Sequence, residues 1–207
     1  MDSISRYLLL LASLLLSAAC GTAGRLADAG TAAGDSTVVT IFYDNDVHCN
    51  IDGYDEIAAL HAATPNSCLV SAGDFVQGGS LGSVSKGGYI IELMNAAGYD
   101  VVTLGNHEFD YGMQRLGELS DSFDAVISVC NLYERGKAAP MYEPYVIREF
   151  GSVKVAFVGI TTPYSFMSST PSYFQDERGN YIYSLCAGKL SKVAEKAAKK
   201  ARRAGAD

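Results

Sequence analysis

Apolar residues in this chain fall into short runs separated by polar, glycine-rich stretches, and strand-like runs alternate with helix-like spacing. Thr40-Ile41-Phe42-Tyr43, Cys68-Leu69-Val70-Ser71, Val101-Val102-Thr103-Leu104 and residues 125–129 are rich in β-branched, aromatic and aliphatic side chains, which predicts strands. Between the first two, residues 53–63 carry Tyr54, Ile57, Ala58, Leu60 and His61 at helical spacing, with Pro65 as a stop. Residues 89–97 predict the next helix, closed by Gly98 as a C-terminal cap. Strand, helix, strand, helix, strand implies parallel strands with right-handed crossovers. Residues 113–119 read as a short helix, and residues 144–150 and 154–160 flank Gly151-Ser152 as a hairpin. Residues 73–88, with Gly78-Gly79-Ser80 and Gly87-Gly88, predict a loop that lacks the Gly-Lys-Ser/Thr of a nucleotide-cradling P-loop. The expected fold is mixed α/β.

The polar residues gain meaning from where they follow these strands. The first three runs end in Asp44-Asn45-Asp46-Val47-His48, in Ala72-Gly73-Asp74 and in Gly105-Asn106-His107-Glu108-Phe109-Asp110. Open α/β folds bind ligands at the carboxyl edge of the sheet, so the three clusters are expected to converge there. Asp46 and His48 share one face by the period of two along an extended chain. Crowded carboxylates repel one another and attract divalent cations, which makes metal-assisted chemistry the expectation.

Asp46-x-His48, Gly73-Asp74-Phe75-Val76-Gln77-Gly78 and Gly105-Asn106-His107-Glu108-Phe109-Asp110 resemble the first three metal-site blocks of the calcineurin-like metallophosphoesterases. Residues 94–112, with Gln77 and Gly78, narrow the resemblance to the 5'-nucleotidase and UDP-sugar hydrolase branch, and it covers the chain from Val38 onward. It implies a β-sheet sandwich flanked by helices, with two divalent cations at its edge. Asp46 and His48 would bind the first cation, Asp74 would bridge, and Asn106 would bind the second. Such mixed oxygen and nitrogen ligands suit Zn, Mn or Fe better than Ca. His107 would face the scissile phosphate with Asp110 as its orienting partner. Asn131, after the fourth strand run, would stand near the substrate. The implied partner is a nucleotide or nucleotide-sugar substrate.

The family's two later histidine blocks, of Ser-His and Gly-His-x-His type, have no counterpart, since the only histidines are His48, His61 and His107. Residues 38–207 are therefore expected to be the N-terminal part of a catalytic domain incomplete at its C-terminus, binding at most one metal well on its own. The alternative is a catalytically incomplete, lipid-anchored module that binds a metal or nucleotide. Turnover of 5'-AMP separates the two.

Residues 7–19 form an unbroken small-or-apolar run after Arg6, of signal-peptide rather than membrane-spanning length. Residues 1–19 are read as a lipoprotein signal peptide. The small residues before Cys20 resemble a lipobox, implying lipidation of Cys20 and export to the bacterial envelope as a membrane-anchored protein. Residues 20–37, rich in Gly, Ala, Thr and Ser, read as a flexible tether. The net charge is −7, and seven of the sixteen Lys and Arg lie in residues 189–203, which read as a helix with Leu190, Val193, Ala194, Ala197 and Ala201 on one face. The remainder is acidic, which argues against nucleic acid as a partner. Cys68 and Cys130 read as buried thiols, Cys49 as a bystander beside His48, and His61 as a helix-end histidine without a catalytic role.

Overall fold

The computed structural model describes residues 37–186 and 189–207. The readings for residues 1–36, among them the signal peptide, the tether and lipidation of Cys20, lie outside the described residues. No helix among the described residues is long and apolar enough to cross a membrane.

The first four strand runs form one parallel sheet in the order β1-β2-β3-β4, made of β1 (Thr40–Asp44), β2 (Ser67–Ser71), β3 (Val101–Val102) and β4 (Val126–Ile127). Helix α1 (Tyr54–Ala63) connects β1 to β2, α2 (Gly79–Ser85) and α3 (Gly88–Ala97) connect β2 to β3, and α4 (Gly112–Asp121) lies between β3 and β4. Leu69, Val102, Leu104 and Ile127 from the sheet pack with Ile90, Ile91 and Met94 of α3 and Leu116 and Leu119 of α4 in one buried core. Gly98 closes α3 in the left-handed conformation expected of a cap, at φ 80.

One expected loop contains a helix. Residues 73–88 include α2, which no apolar period announces because Leu81 and Val84 face solvent and only Gly82 is buried. Serine hydroxyls take the place of packing there, Ser83 donating back to Gly79 O and Ser85 to Leu81 O.

Two antiparallel pairs complete the described strands. β6 (Val146–Phe150) and β7 (Val153–Phe157) form the expected hairpin, with Gly151 at φ 61 in its turn. β5 (Leu132–Glu134) pairs with β8 (Tyr183–Leu185), which the sequence pattern did not announce because both strands are three residues long. Beyond β7 the chain runs beside β4: Cys130 N donates to Gly159 O at 2.9 Å and Gly159 N to Ser128 Oγ at 3.0 Å. A Cβ on Gly159 would fall 1.7 Å from Ser128 O, so this approach requires glycine. A cavity of about 150 Å³ separates Phe157, Val158 and Gly159 from Tyr43, Val70 and Val101 of the sheet. Between β7 and β8 lies the single-turn helix α5 (Ser165–Ser168). Helix α6 (Leu190–Arg203) buries Ala197 and Ala201 on the expected face and leaves Lys192, Lys196, Lys199 and Lys200 exposed.

Candidate active site

Strand pairing continues past the strand ends and welds the first two polar loops together. Asp46 N donates to Gly73 O, His48 N to Asp74 O and Cys49 N to Phe75 O, each at 3.0 Å. The loops are held in unusual backbone states. Of the six non-glycine residues with positive φ among the described residues, Asp46, His48, Cys49 and Asp74 lie here, between 48° and 58°. Such conformations cost about 1 kcal/mol or more each and concentrate at functional sites.

A buried carboxylate ties the second loop to the third. Glu108 is buried, and its two oxygens accept four backbone N–H groups: Asp74 N at 2.9 Å, Phe75 N at 2.8 Å, Val76 N at 3.2 Å and Gly105 N at 2.6 Å. Burial pushes the Glu108 pKa up, and the nearby Asp74 charge adds to this, while the N–H donors favour the ionised form that accepts all four. Asp74 is seated by the same contact region, since His107 N donates to its Oδ1 at 2.7 Å. A Cβ on Gly105 would lie 2.3 Å from that oxygen, and one on Gly73 would lie 2.2 Å from Gly105 N. Both glycines are required for the loops to close on each other.

The imidazoles are oriented from outside the cluster. His48 Nδ1 lies 3.0 Å from Gln77 O, and because a carbonyl only accepts, Nδ1 carries a proton. Its Nε2 is 3.8 Å from Asp46 Oδ1, and the side-chain amide of Asn45 donates to the other oxygen of Asp46. The His48 and His107 rings meet edge to face with centroids 4.8 Å apart. His107 Nδ1 in turn lies 2.6 Å from Asp110 Oδ2. Burial alone would lower the His107 pKa, but the Asp110 hydrogen bond and the charges of Asp110, Asp74 and Glu108 outweigh it and hold it above the usual histidine value.

A family model of the calcineurin-like phosphoesterases matches residues 41–175, the stretch that carries all three loops. The chain belongs to the calcineurin-like phosphoesterases. It is 32% identical over 168 residues to 5'-nucleotidase of Bos taurus, covering 67% of this chain and 29% of that protein. It is 30% identical over 142 residues to the 2',3'-cyclic-nucleotide 2'-phosphodiesterase/3'-nucleotidase of Haemophilus influenzae, covering 58% and 22%. The chain thus spans less than a third of the length of these curated relatives. Among solved structures, the calcineurin-like phosphoesterase YfkN from Bacillus subtilis superimposes with a TM-score of 0.65 at 25% identity, covering 82% of this chain and 59% of that one. The 5'-nucleotidase precursor from Thermus thermophilus shares the fold, with a TM-score of 0.66 at 21% identity over 81% of this chain and 35% of that one.

The fold brings Asp46 and His48 to within 3.8 Å through left-handed backbone at both residues, where the sequence suggested an extended chain, seats Asp74 against the third loop and sets His107 between His48 and Asp110. The Asn106 side chain makes no hydrogen bond among the described residues and keeps its amide oxygen free. No three His, Cys, Asp or Glu side chains converge as a cation cage among the described residues. The donor set fits a divalent cation in part: one carboxylate–imidazole pair with a fixed tautomer, plus a carboxylate and a free amide on adjoining loops.

Asn131, expected near the substrate, lies under the third loop and does not reach the surface. It is wholly buried, donates to Thr161 O at 2.7 Å and accepts from Thr161 N at 2.9 Å, which commits both ends of its amide. Thr161 Oγ1 donates onward to Leu104 O at 2.8 Å, so Asn131 anchors the chain after β7 to the base of the third loop. Cys49 is a buried thiol that donates to Val76 O at 2.8 Å, and burial with the Glu108 charge pushes its pKa up to about 11. At neutral pH it is protonated, a buried thiol beside His48. His61 lies at the opposite edge of the sheet, bonded to Ser67 Oγ at 2.8 Å and placed 3.3 Å from Asp100 Oδ2, a structural post as expected. Glu108 is the residue that the sequence pattern left without a role; its signal is a carboxylate set between His107 and the apolar Phe109, where solvation is unavailable.

Proposed function

We propose that the chain carries out metal-dependent hydrolysis of nucleotide phosphate esters, of the 5'-nucleotidase, UDP-sugar hydrolase or cyclic phosphodiesterase type, at the joined loops after β1, β2 and β3. The observation that carries this reading is the 2.6 Å pairing of His107 Nδ1 with Asp110 Oδ2, made while the His107 ring rests against His48. It sets an oriented, proton-carrying ring beside a donor set suited to cations. Two divalent cations, Zn, Mn or Fe, held by Asp46 and His48, by Asn106 and by Asp74 between them, would supply an ionised water and offset charge on the phosphoryl oxygens.

The chain's own groups do the remaining work. Asp110 accepts a hydrogen bond from the Nδ1–H of His107, which fixes the tautomer and leaves Nε2 to exchange a proton with the leaving-group oxygen. The raised His107 pKa keeps that proton available closer to neutral pH. The names of the relatives support a nucleotide as the substrate class. Attachment of lipid to Cys20 would hold the enzyme at the outer side of a bacterial membrane, with substrate drawn from outside the cytoplasm.

A second reading is a catalytically incomplete, lipid-anchored module that binds a metal or nucleotide without turnover, since Asp46, His48, Asp74 and Asn106 supply only part of two cations' shells. The test uses the protein at its full natural length, stripped of metal and then given Mn²⁺ or Zn²⁺, with 5'-AMP as substrate. Phosphate release that vanishes with chelation and returns with metal is the expected result. Metal binding without phosphate release would favour the second reading, and release indifferent to chelation would contradict both.

A further inference from the structure

Helix α6 carries charge of the opposite sign to the chain as a whole. Its 14 residues hold six Lys or Arg and one Glu, a charge of +5 in a chain whose total is −7. At about 100° per residue, Lys192, Lys196, Lys199, Lys200 and Arg203 fall within an arc of about 100°, in a stripe about 16 Å long. All five residues are exposed. Ala197 and Ala201, which the helix buries, fall outside that arc, so one flank holds the helix to the body and the stripe is left to solvent.

A solvated helix face ordinarily interleaves opposite charges three and four residues apart, where they pair. Glu195 is the only acid in α6, and it takes Lys199 at 2.5 Å. The other four cations of the stripe have no carboxylate within 4.0 Å among the described residues. Cations crowded on one arc repel one another, a cost that an anionic surface removes. Two of the five also adjoin apolar ground. Lys196 and Lys200 line a groove of about 780 Å³ whose apolar members include Ile127, Met141 and Val193 and whose acids are Asp121 and Glu143. Cations beside apolar side chains suit a layer of lipid headgroups, where ammonium groups meet phosphates and apolar groups reach the acyl boundary. A polynucleotide answers the charges alone. The acidic remainder of the chain is repelled by the same surface, which confines contact to α6.

We propose that the basic stripe of α6 docks the protein on an anionic phospholipid surface, with the helix lying along the headgroups. Lipidation of Cys20, expected from the sequence, would keep the helix near such a surface, but the docking does not require it.

The test uses the protein at its natural length carrying Cys20→Ser, so that no acyl chain contributes. It is sedimented at about 0.1 M salt with vesicles of phosphatidylcholine, with and without about one-third phosphatidylglycerol. Binding to the anionic vesicles alone, released by further salt, is the expected result. Lys192→Gln, Lys196→Gln and Lys200→Gln combined should weaken it about a hundredfold, at roughly fivefold for each cation near the surface. Arg135→Gln, Lys137→Gln and Arg178→Gln combined make the same change of net charge at exposed positions off the helix. They should alter binding less than about twofold, because charges farther from the headgroups than a Debye length are screened. An unchanged Tm in both sets separates lost docking from lost folding, and the comparison of vesicles and salt in the unsubstituted helix stands without either set. Equal losses from the two sets would mean that net charge alone acts and would overturn the stripe, as would equal binding to neutral vesicles or none to anionic ones. Tighter binding to a DNA duplex than to the anionic vesicles would overturn the lipid surface in favour of nucleic acid.

Discussion

Glu108 shows how much of the site depends on a residue that need touch neither cation nor substrate. Its carboxylate gathers N–H groups from residues 74–76 and from Gly105, which places Asp74 and fixes the start of the loop that carries Asn106 and His107. Glu108→Gln replaces one acceptor oxygen with an NH₂ aimed at N–H groups. We expect a loss of about 3 kcal/mol, because buried donors are left without acceptors. That corresponds to a fall of roughly 6–12 °C in Tm for a domain of this size, measurable by calorimetry. The carboxylates and imidazoles at the strand ends were legible from the sequence because their residue types announce metal and proton chemistry. Glu108 was not, because its role is spent entirely on backbone groups, and the sequence does not show where those groups lie.

At the level of elements, the parallel core was legible because β1 and β2 carry full apolar runs and α3 has both an apolar face and a glycine cap. The limits of β3 and β4 were not, since Thr103 and Ser128 extend the pairing through single hydrogen bonds, to Ser71 O and Val102 O, after the regular ladder ends. Helix α2 escaped the pattern for a different reason. It buries only Gly82, against Cys49 Sγ, where an added Cβ would lie 2.4 Å away, so its packing is backbone on sulfur and leaves no apolar period. The chain after β7 is held to the third loop mainly through Asn131 and Thr161. Asn131→Ala should unpair Thr161 N and O, lowering stability by about 2–3 kcal/mol in denaturant unfolding. KM per folded molecule should stay constant; a raised KM at unchanged stability would mean that Asn131 acts on the substrate directly.

For the molecule as a whole, three loops, each strained or glycine-dependent, are closed on one another by the fold, and the proposed cations would stabilise them further. A ligand that binds only the folded state adds about 2.7 kcal/mol at a hundredfold excess over its Kd. Adding Mn²⁺ to metal-free protein should therefore raise Tm by several degrees, and Asp74→Asn should abolish the increment. An unchanged increment in that variant would mean that the cation binds elsewhere. The most direct test of the central claim is paired measurement of metal content and 5'-AMP turnover in His107→Ala at natural length. The expected result is full metal content with kcat/KM reduced by about 10² to 10⁴-fold, the range for losing a positioned proton donor. Turnover equal to that of the unaltered protein would contradict the account.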